Sequence, residues 1–162
     1  MLKSPKFLWL VILILLAALG FLANKFILAG NTIPSQDDRT AILVTSDERI
    51  MILGEMRGFL EAVQGIVEAT AEGDLDTVAK LASETGAQKP DMSASLMGKL
   101  PIEFKSLGFA THDLFTELGK TAQGGDPVAV QKGLGDLMLN CTACHAGNKF
   151  VVEGSPEAMN NN

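Results

Sequence analysis

Phe7 to Ala23 is an unbroken run of 17 apolar or small residues, and no other feature of the chain constrains its folding as strongly. Asn24 and Lys25 interrupt the run and Phe26 to Ala29 continue it. As a helix, Phe7–Leu28 would be roughly 33 Å long, about one hydrocarbon core. Lys3 and Lys6 precede it with no acid nearby, which by the positive-inside rule places the N-terminus in the cytoplasm. A cleaved signal peptide is the competing reading. Its apolar region is usually about 7–15 residues, shorter than this one, and the small-x-small site Ala18-Leu19-Gly20 lies inside the apolar stretch. Both readings export the rest of the chain. The first makes the protein a single-pass resident of the inner (cytoplasmic) membrane whose folded part faces the periplasm.

Hydrophobic residues reach 47% of the chain, an excess that sits in this segment. Residues 1–30 carry only Lys3, Lys6 and Lys25, so 10 of the 13 basic residues face all 19 acids in 31–162, a formal charge of −9. A surface this acidic repels nucleic acid and anionic headgroups. It suits a basic protein partner, although a solvated acidic surface with no partner is the commoner meaning.

Beyond the anchor, assigned to residues 1–30, the sequence reads as a polar tether over 31–46, with Pro34, Ser35, Asp37 and Asp38. A helical domain follows over 47–150, then a flexible tail over 151–162. Thr45 and Glu48 have capping-box spacing. Ile52, Met56, Phe59, Val63 and Ile66 make one helical stripe, stopped by Gly73. Asp74 caps a second helix to about Thr85, ended by Gly86. Residues 87–99 read as irregular or short-helical. Pro101 opens a third helix with Phe104, Leu107, Thr111, Leu114 and Leu118 inward. After Gly124-Gly125, Asp126-Pro127 starts a fourth, running to His145 or Gly147, with Leu134, Leu137, Cys141 and Cys144 on one side. No strand signal stands out. The expected fold is all-α: an antiparallel four-helix bundle behind a single N-terminal transmembrane helix. The glycines at 54, 58, 65, 108 and 119 fall inside these helices, where each costs roughly 1 kcal/mol against alanine. They either allow close helix packing or leave room for a large flat group.

The chain has only two cysteines, and they stand in Cys141-Thr142-Ala143-Cys144-His145, the C-x-x-C-H pattern of covalent haem attachment. Two thiols add across two vinyl groups, the spacing lets both sulfurs reach, and the adjacent histidine ligates the iron. The chemistry takes place outside the bacterial cytoplasm, in agreement with export. A disulfide across two residues usually marks a redox enzyme of another fold. A zinc site needs four ligands, and outside the motif only His112 offers another of the usual nitrogen or sulfur donors. One covalently bound haem c is the expected cofactor.

A haem motif ending a four-helix bundle resembles the cytochrome c prime family, including its low-spin, methionine-ligated relatives. The likeness spans about residues 45–150. It is carried by the order of Glu48-Arg49, Gly73-Asp74, Leu100-Pro101 with Phe104, and Thr111-His112-Asp113 with Phe115. It implies that a basic residue four positions after the proximal histidine lies beside the haem, which is Lys149. The family often has an aromatic residue just before that position. Here it is Asn148, and Gly147 can end the helix early. The likeness also places the distal position near Leu53, counted from Arg49, and His112 on the third helix near the bundle or haem edge, for a polar contact rather than ligation. Bundles of this family often pair as homodimers.

High-spin members leave the distal side of the iron open and bind small gases; low-spin members supply a methionine. Leu53 over the iron implies the first. Met56, one turn on and on the apolar stripe, implies the second, although a methionine there is more often plain core. The metal ligands expected are therefore His145 and, in the second case, Met56. Arg49 and Arg57 are candidates to pair with a haem propionate; Arg57 reads more simply as part of a solvated helix face. The functions that follow are electron transfer on the periplasmic side to redox protein partners, in a respiratory or photosynthetic membrane complex; gas binding at an open iron; or service as a fixed haem subunit of a larger assembly. No second catalytic constellation accompanies the motif, so an enzyme is not expected.

Overall fold

The computed structural model of the protein describes residues 5–88 and 92–160. Lys3, the last two asparagines and part of the stretch 87–99 lie outside them. Within these limits the chain is mostly helical, as expected, with one N-terminal helix long and apolar enough to cross a membrane. That helix, α1 (Pro5–Ala23), passes into a π-helical turn, Asn24–Ala29, and no residue of either is buried.

Helix α2 spans Ser46–Glu72, and its start is set as the sequence implied. The Glu48 backbone N–H donates to the Thr45 hydroxyl, and the Glu48 carboxylate accepts from the Thr45 N–H at 2.7 Å. Gly73, at φ 77, ends it in the left-handed region that glycine enters freely. Asp74 caps α3 (Leu75–Ala87), accepting from the Thr77 N–H at 3.0 Å. A short α4 (Ala94–Lys99) precedes α5 (Ile102–Gln123), which begins after Pro101. Helix α6 (Pro127–Gly147) has Asp126 as its cap and proline in its first turn. A single turn, α7 (Pro156–Asn160), lies near the C-terminus.

One apolar cluster joins α2, α3, α5 and α6. Ile66, Val78, Phe115, Leu118, Val130 and Leu137 are its largest fully buried members. Phe115 is fully buried here, whereas Phe104, expected on the same inner face as Leu118, packs with Ile52, Leu96 and Leu100 in a second cluster. The closest helix contact is between α3 and α5. A β-carbon on Gly86 would collide with Thr116 and with the His112 carbonyl, and one on Gly119 with Ser83. Gly86 therefore does not end α3 as expected; it lets α5 approach it. Gly65 serves the same end against Leu81, while Gly58 and Gly108 have nothing within 4 Å. Helix α6 packs on α5 far more than on α2, which leaves α2 and α6 apart.

One expectation is corrected: the fold is not all-α. Residues 31–46, read as a polar tether, contain two strands, and the stretch after 150, read as a tail, holds the end of a third and a helical turn at Pro156–Asn160. Strands β1 (Thr32–Pro34), β2 (Thr40–Val44) and β3 (Asn148–Val152) form one sheet in that order. The first pair is antiparallel, and β2 and β3 run parallel with Ala41 opposite Lys149 and Val44 opposite Val152. Ala41, Ile42, Val44 and Val151 are buried. The polar residues of 31–46 sit at the turn between β1 and β2. The strand behind them, Thr-Ala-Ile-Leu-Val, has the β-branched content that fits a pleated, half-buried surface. It pairs with a strand from the far end of the domain, which no local period reveals.

Gly86→Ala is expected to destabilise the domain by about 1–3 kcal/mol, the usual penalty for overpacking a close-packed contact. Urea unfolding followed by circular dichroism measures it as a lower midpoint at unchanged slope.

Candidate functional site

The site is built on the last three turns of α6. Val130, Leu134 and Leu137 are buried in the common core. Continuing their spacing brings Cys141, then Cys144 and His145, to the same side of the helix one and two turns later. There the core runs out: Cys141 packs on its edge, both cysteines are half-buried, and His145 is exposed. Asn140 pins α6 to α5, donating to the Leu107 carbonyl at 2.8 Å and the Thr111 hydroxyl at 2.9 Å. At the helix end the Asn148 amide donates to the Cys144 carbonyl at 3.3 Å, and Arg39 donates to the His145 carbonyl at 3.5 Å. A cation at this end also suits the helix dipole.

The gap between α2 and α6 is a cleft of about 470 Å³. Its α2 wall is Leu53, Met56, Arg57, Phe59, Leu60 and Val63. Its α6 wall is Met138, Cys141, Cys144 and His145, with Thr111 at the back. A smaller cavity of about 180 Å³ shares Leu53, Met56, Cys144 and His145 with it and adds Arg39, Arg49, Lys149, Phe104, Asn148 and Phe150. The cleft is thus mostly apolar along α2, with Arg57 the exception, and the adjoining cavity is cationic at the end nearest the sheet. Leu53 and Met56, the alternative distal residues, both stand where the two spaces meet. Met56 also packs against the second core cluster.

The residues expected at the site are brought together with one difference of setting. Helix α6 ends at Gly147, so Lys149 comes from β3 rather than from the helix. Its ammonium lies 2.8 Å from Glu157 and 3.7 Å from Asp37. His112 lies away from the cleft: its ring nitrogens are 3.0 Å from Glu55 Oε1 and 3.3 Å from the Thr85 carbonyl, and its ring meets Phe59 edge-on. Arg39 and Phe150 were missed. Phe150 lies in β3, and Arg39 stands just before β2, in the stretch taken for a tether. Arg39 is itself held by Asp37 at 2.7 Å, and the Arg39 guanidinium keeps that carboxyl well below the usual carboxylate range.

Chemically, one wall offers two free thiols and an imidazole, the other offers aliphatic and thioether groups, and the end offers cations. Burial pushes both thiols above their ordinary range, and for Cys144 the neighbouring Cys141 adds to this. The arrangement suits a flat apolar group with an acidic edge, and its volume falls within the ~300–1,000 Å³ of cofactor clefts. Among the described residues no group of three or more His, Cys, Asp and Glu side chains is placed to hold a bare metal ion.

No protein-family model, curated protein or solved structure matches the chain.

In protein prepared without an attached group, Cys141 and Cys144 should react with iodoacetamide at pH 7 more slowly than in denatured chain. The difference should narrow as the pH rises past the ordinary thiol value of 9.0, because only the thiolate attacks and burial disfavours it. Mass spectrometry of timed aliquots checks this. Equal rates at pH 7 would place the thiols outside the cleft.

Proposed function

We propose that the protein is a membrane-anchored c-type cytochrome with a single haem, and that its work is electron transfer on the periplasmic side of the inner membrane. In this reading α2, α3, α5 and α6 form an antiparallel four-helix bundle of the cytochrome c prime kind. The observation that carries it is the placement of the C-x-x-C-H residues: both thiols and the imidazole line one wall of an apolar cleft of about 470 Å³. A haem fits the residues present, with two thiols for its vinyl groups and an imidazole for its iron. Leu53, Met56 and Val63 would lie against its apolar faces.

Bound there, haem c supplies a one-electron couple and makes no bond to a substrate. Cys141 and Cys144 would hold it covalently to α6, and His145 would ligate its iron. Met56, were its sulfur the second ligand, would raise the potential relative to histidine-only ligation. Phe59 and Leu60 line the wall beside Met56. Arg39, Arg49 and Lys149 offset carboxylate charge at the cationic end, where an unpaired anion would otherwise be costly. The acidic surface of the domain suits a basic redox partner. Two other readings have an observation behind them. Leu53 lines both spaces as Met56 does, which suits an open iron that binds nitric oxide or carbon monoxide. The anchor meets the domain without slack, the Asn31 N–H donating to the Lys99 carbonyl at 2.7 Å, which suits a fixed subunit of a membrane assembly.

Two measurements test the proposal. Denatured protein should keep its haem through an acid–acetone wash, and the Cys141→Ala, Cys144→Ala double variant should lose it; release from the wild type would end the cytochrome reading. The optical spectrum of the oxidised protein then separates the ligand states. With Met56 on the iron it is low-spin with a weak near-infrared sulfur-to-iron band. Met56→Ala turns it high-spin, removes that band and admits carbon monoxide to the reduced form. A wild type that is already high-spin and takes up carbon monoxide moves gas binding to first place.

A further inference from the structure

The apolar helix ends against the folded domain at the π-helical turn, and a cavity of about 320 Å³ opens at that junction. Lys25, Gly30 and Asn31 form one side of it, and Ser95, Gly98 and Lys99 the other. Lys25 is the only charged residue between Phe7 and Leu28. A charge inside hydrocarbon is costly, and long cationic side chains near helix ends reach for the interface. The Lys25 side chain does so, donating to the Gly30 carbonyl at 3.2 Å, beyond the end of the helix. An ammonium has three donors, and among the described residues none of the ion pairs involves Lys25. Lys99 differs, being answered by Glu48 at 2.7 Å and Glu153 at 3.0 Å.

A domain of charge −9 held this close to an anionic bilayer is repelled by it, so an unanswered cation at the contact has a use. From the cavity, the lysine and its level on the helix we infer that this junction seats the phosphate of an anionic phospholipid headgroup, held by Lys25 with the Ser95 hydroxyl. The inference rests on the reading of residues 5–29 as a transmembrane anchor. Gly98 keeps the wall low: a β-carbon there would stand 3.4 Å from the Phe26 ring, and a larger side chain would enter the space.

The test uses the full-length protein in nanodiscs of mixed phosphatidylglycerol and phosphatidylcholine, released into native mass spectrometry. Wild type should retain phosphatidylglycerol over Lys25→Gln by about fivefold, the equivalent of ~1 kcal/mol for one lysine at an anionic surface. Ser95→Ala should fall between them, and Lys132→Gln, remote in sequence and already paired with Asp136, should match wild type. Equal retention of both lipids by wild type, or no loss in Lys25→Gln, overturns the site while leaving the anchor in place. Binding of inorganic phosphate in detergent with the same Lys25 dependence, but without lipid retention, also overturns it in favour of a plain anion site. Carbonate extraction of membranes is run alongside: release of the protein removes the anchor and the inference with it. None of these results bears on the haem, whose test is separate.

Discussion

The parallel pairing of Thr40–Val44 with Asn148–Val152 ties the chain that enters the helical domain to the chain that leaves it. Much else depends on it. It starts where α6 stops, so the register fixes what surrounds the end of that helix. Lys149 faces Ala41 across the strands, and Arg39, just before β2, reaches the His145 carbonyl. One face of the sheet, Ile42 and Val44, packs with Ile52 of α2 and with Leu96 and Leu100. The strand pair thus holds both walls of the cleft at one end, since Leu53 and Met56 follow directly on Ile52. Without it, α2 and α6 would be joined only through α3 and α5, because they touch each other little.

That scant contact is itself a consequence of where small residues fall. Gly86 and Gly119 bring α3 and α5 so close that β-carbons would collide with the neighbouring helix. Gly58 and Gly108 meet nothing. The unfilled volume lies between α2 and α6, next to the cysteines, and neither Gly58 nor Gly108 lines it. The cost of the two close-packed glycines, roughly 1 kcal/mol each, is offset by the contact they allow.

The helices were legible because each carries its own punctuation: Thr45 with Glu48, Gly73 with Asp74, and Asp126 with Pro127 all act within one turn of chain. The half of the site on α6 was legible for the same reason, as was Met56 from the stripe on α2. Arg39, Phe150 and the sheet were not. Their positions follow from a parallel pairing between strands separated by the whole helical domain, and a five-residue apolar run after a polar turn does not say what it pairs with. Gly86 was misread because a glycine that ends a helix and one that admits a neighbour look alike until the neighbour is known. Proximity in space at the cationic end was a tertiary property, while the chemistry of the thiols was local.

The sheet also changes what the anchor does for the domain. Were residues 31–46 an extended tether, they would reach about 50 Å and let the domain sweep a wide volume around the end of the apolar helix. Folded into β1 and β2, they supply almost none of that reach. Gly30 turns the chain at φ 68 where a β-carbon would strike the Lys99–Pro101 backbone. Asn31 bonds to Lys99, and Lys105 donates to the Ile27 carbonyl at 3.1 Å. Each contact crosses from the helix end to the domain, and together they replace a swivel with a seat. A domain held this way presents its cleft at one height and one tilt. For anything that docks at the cleft, the orientational search that slows the docking of free proteins is then partly settled by the fold.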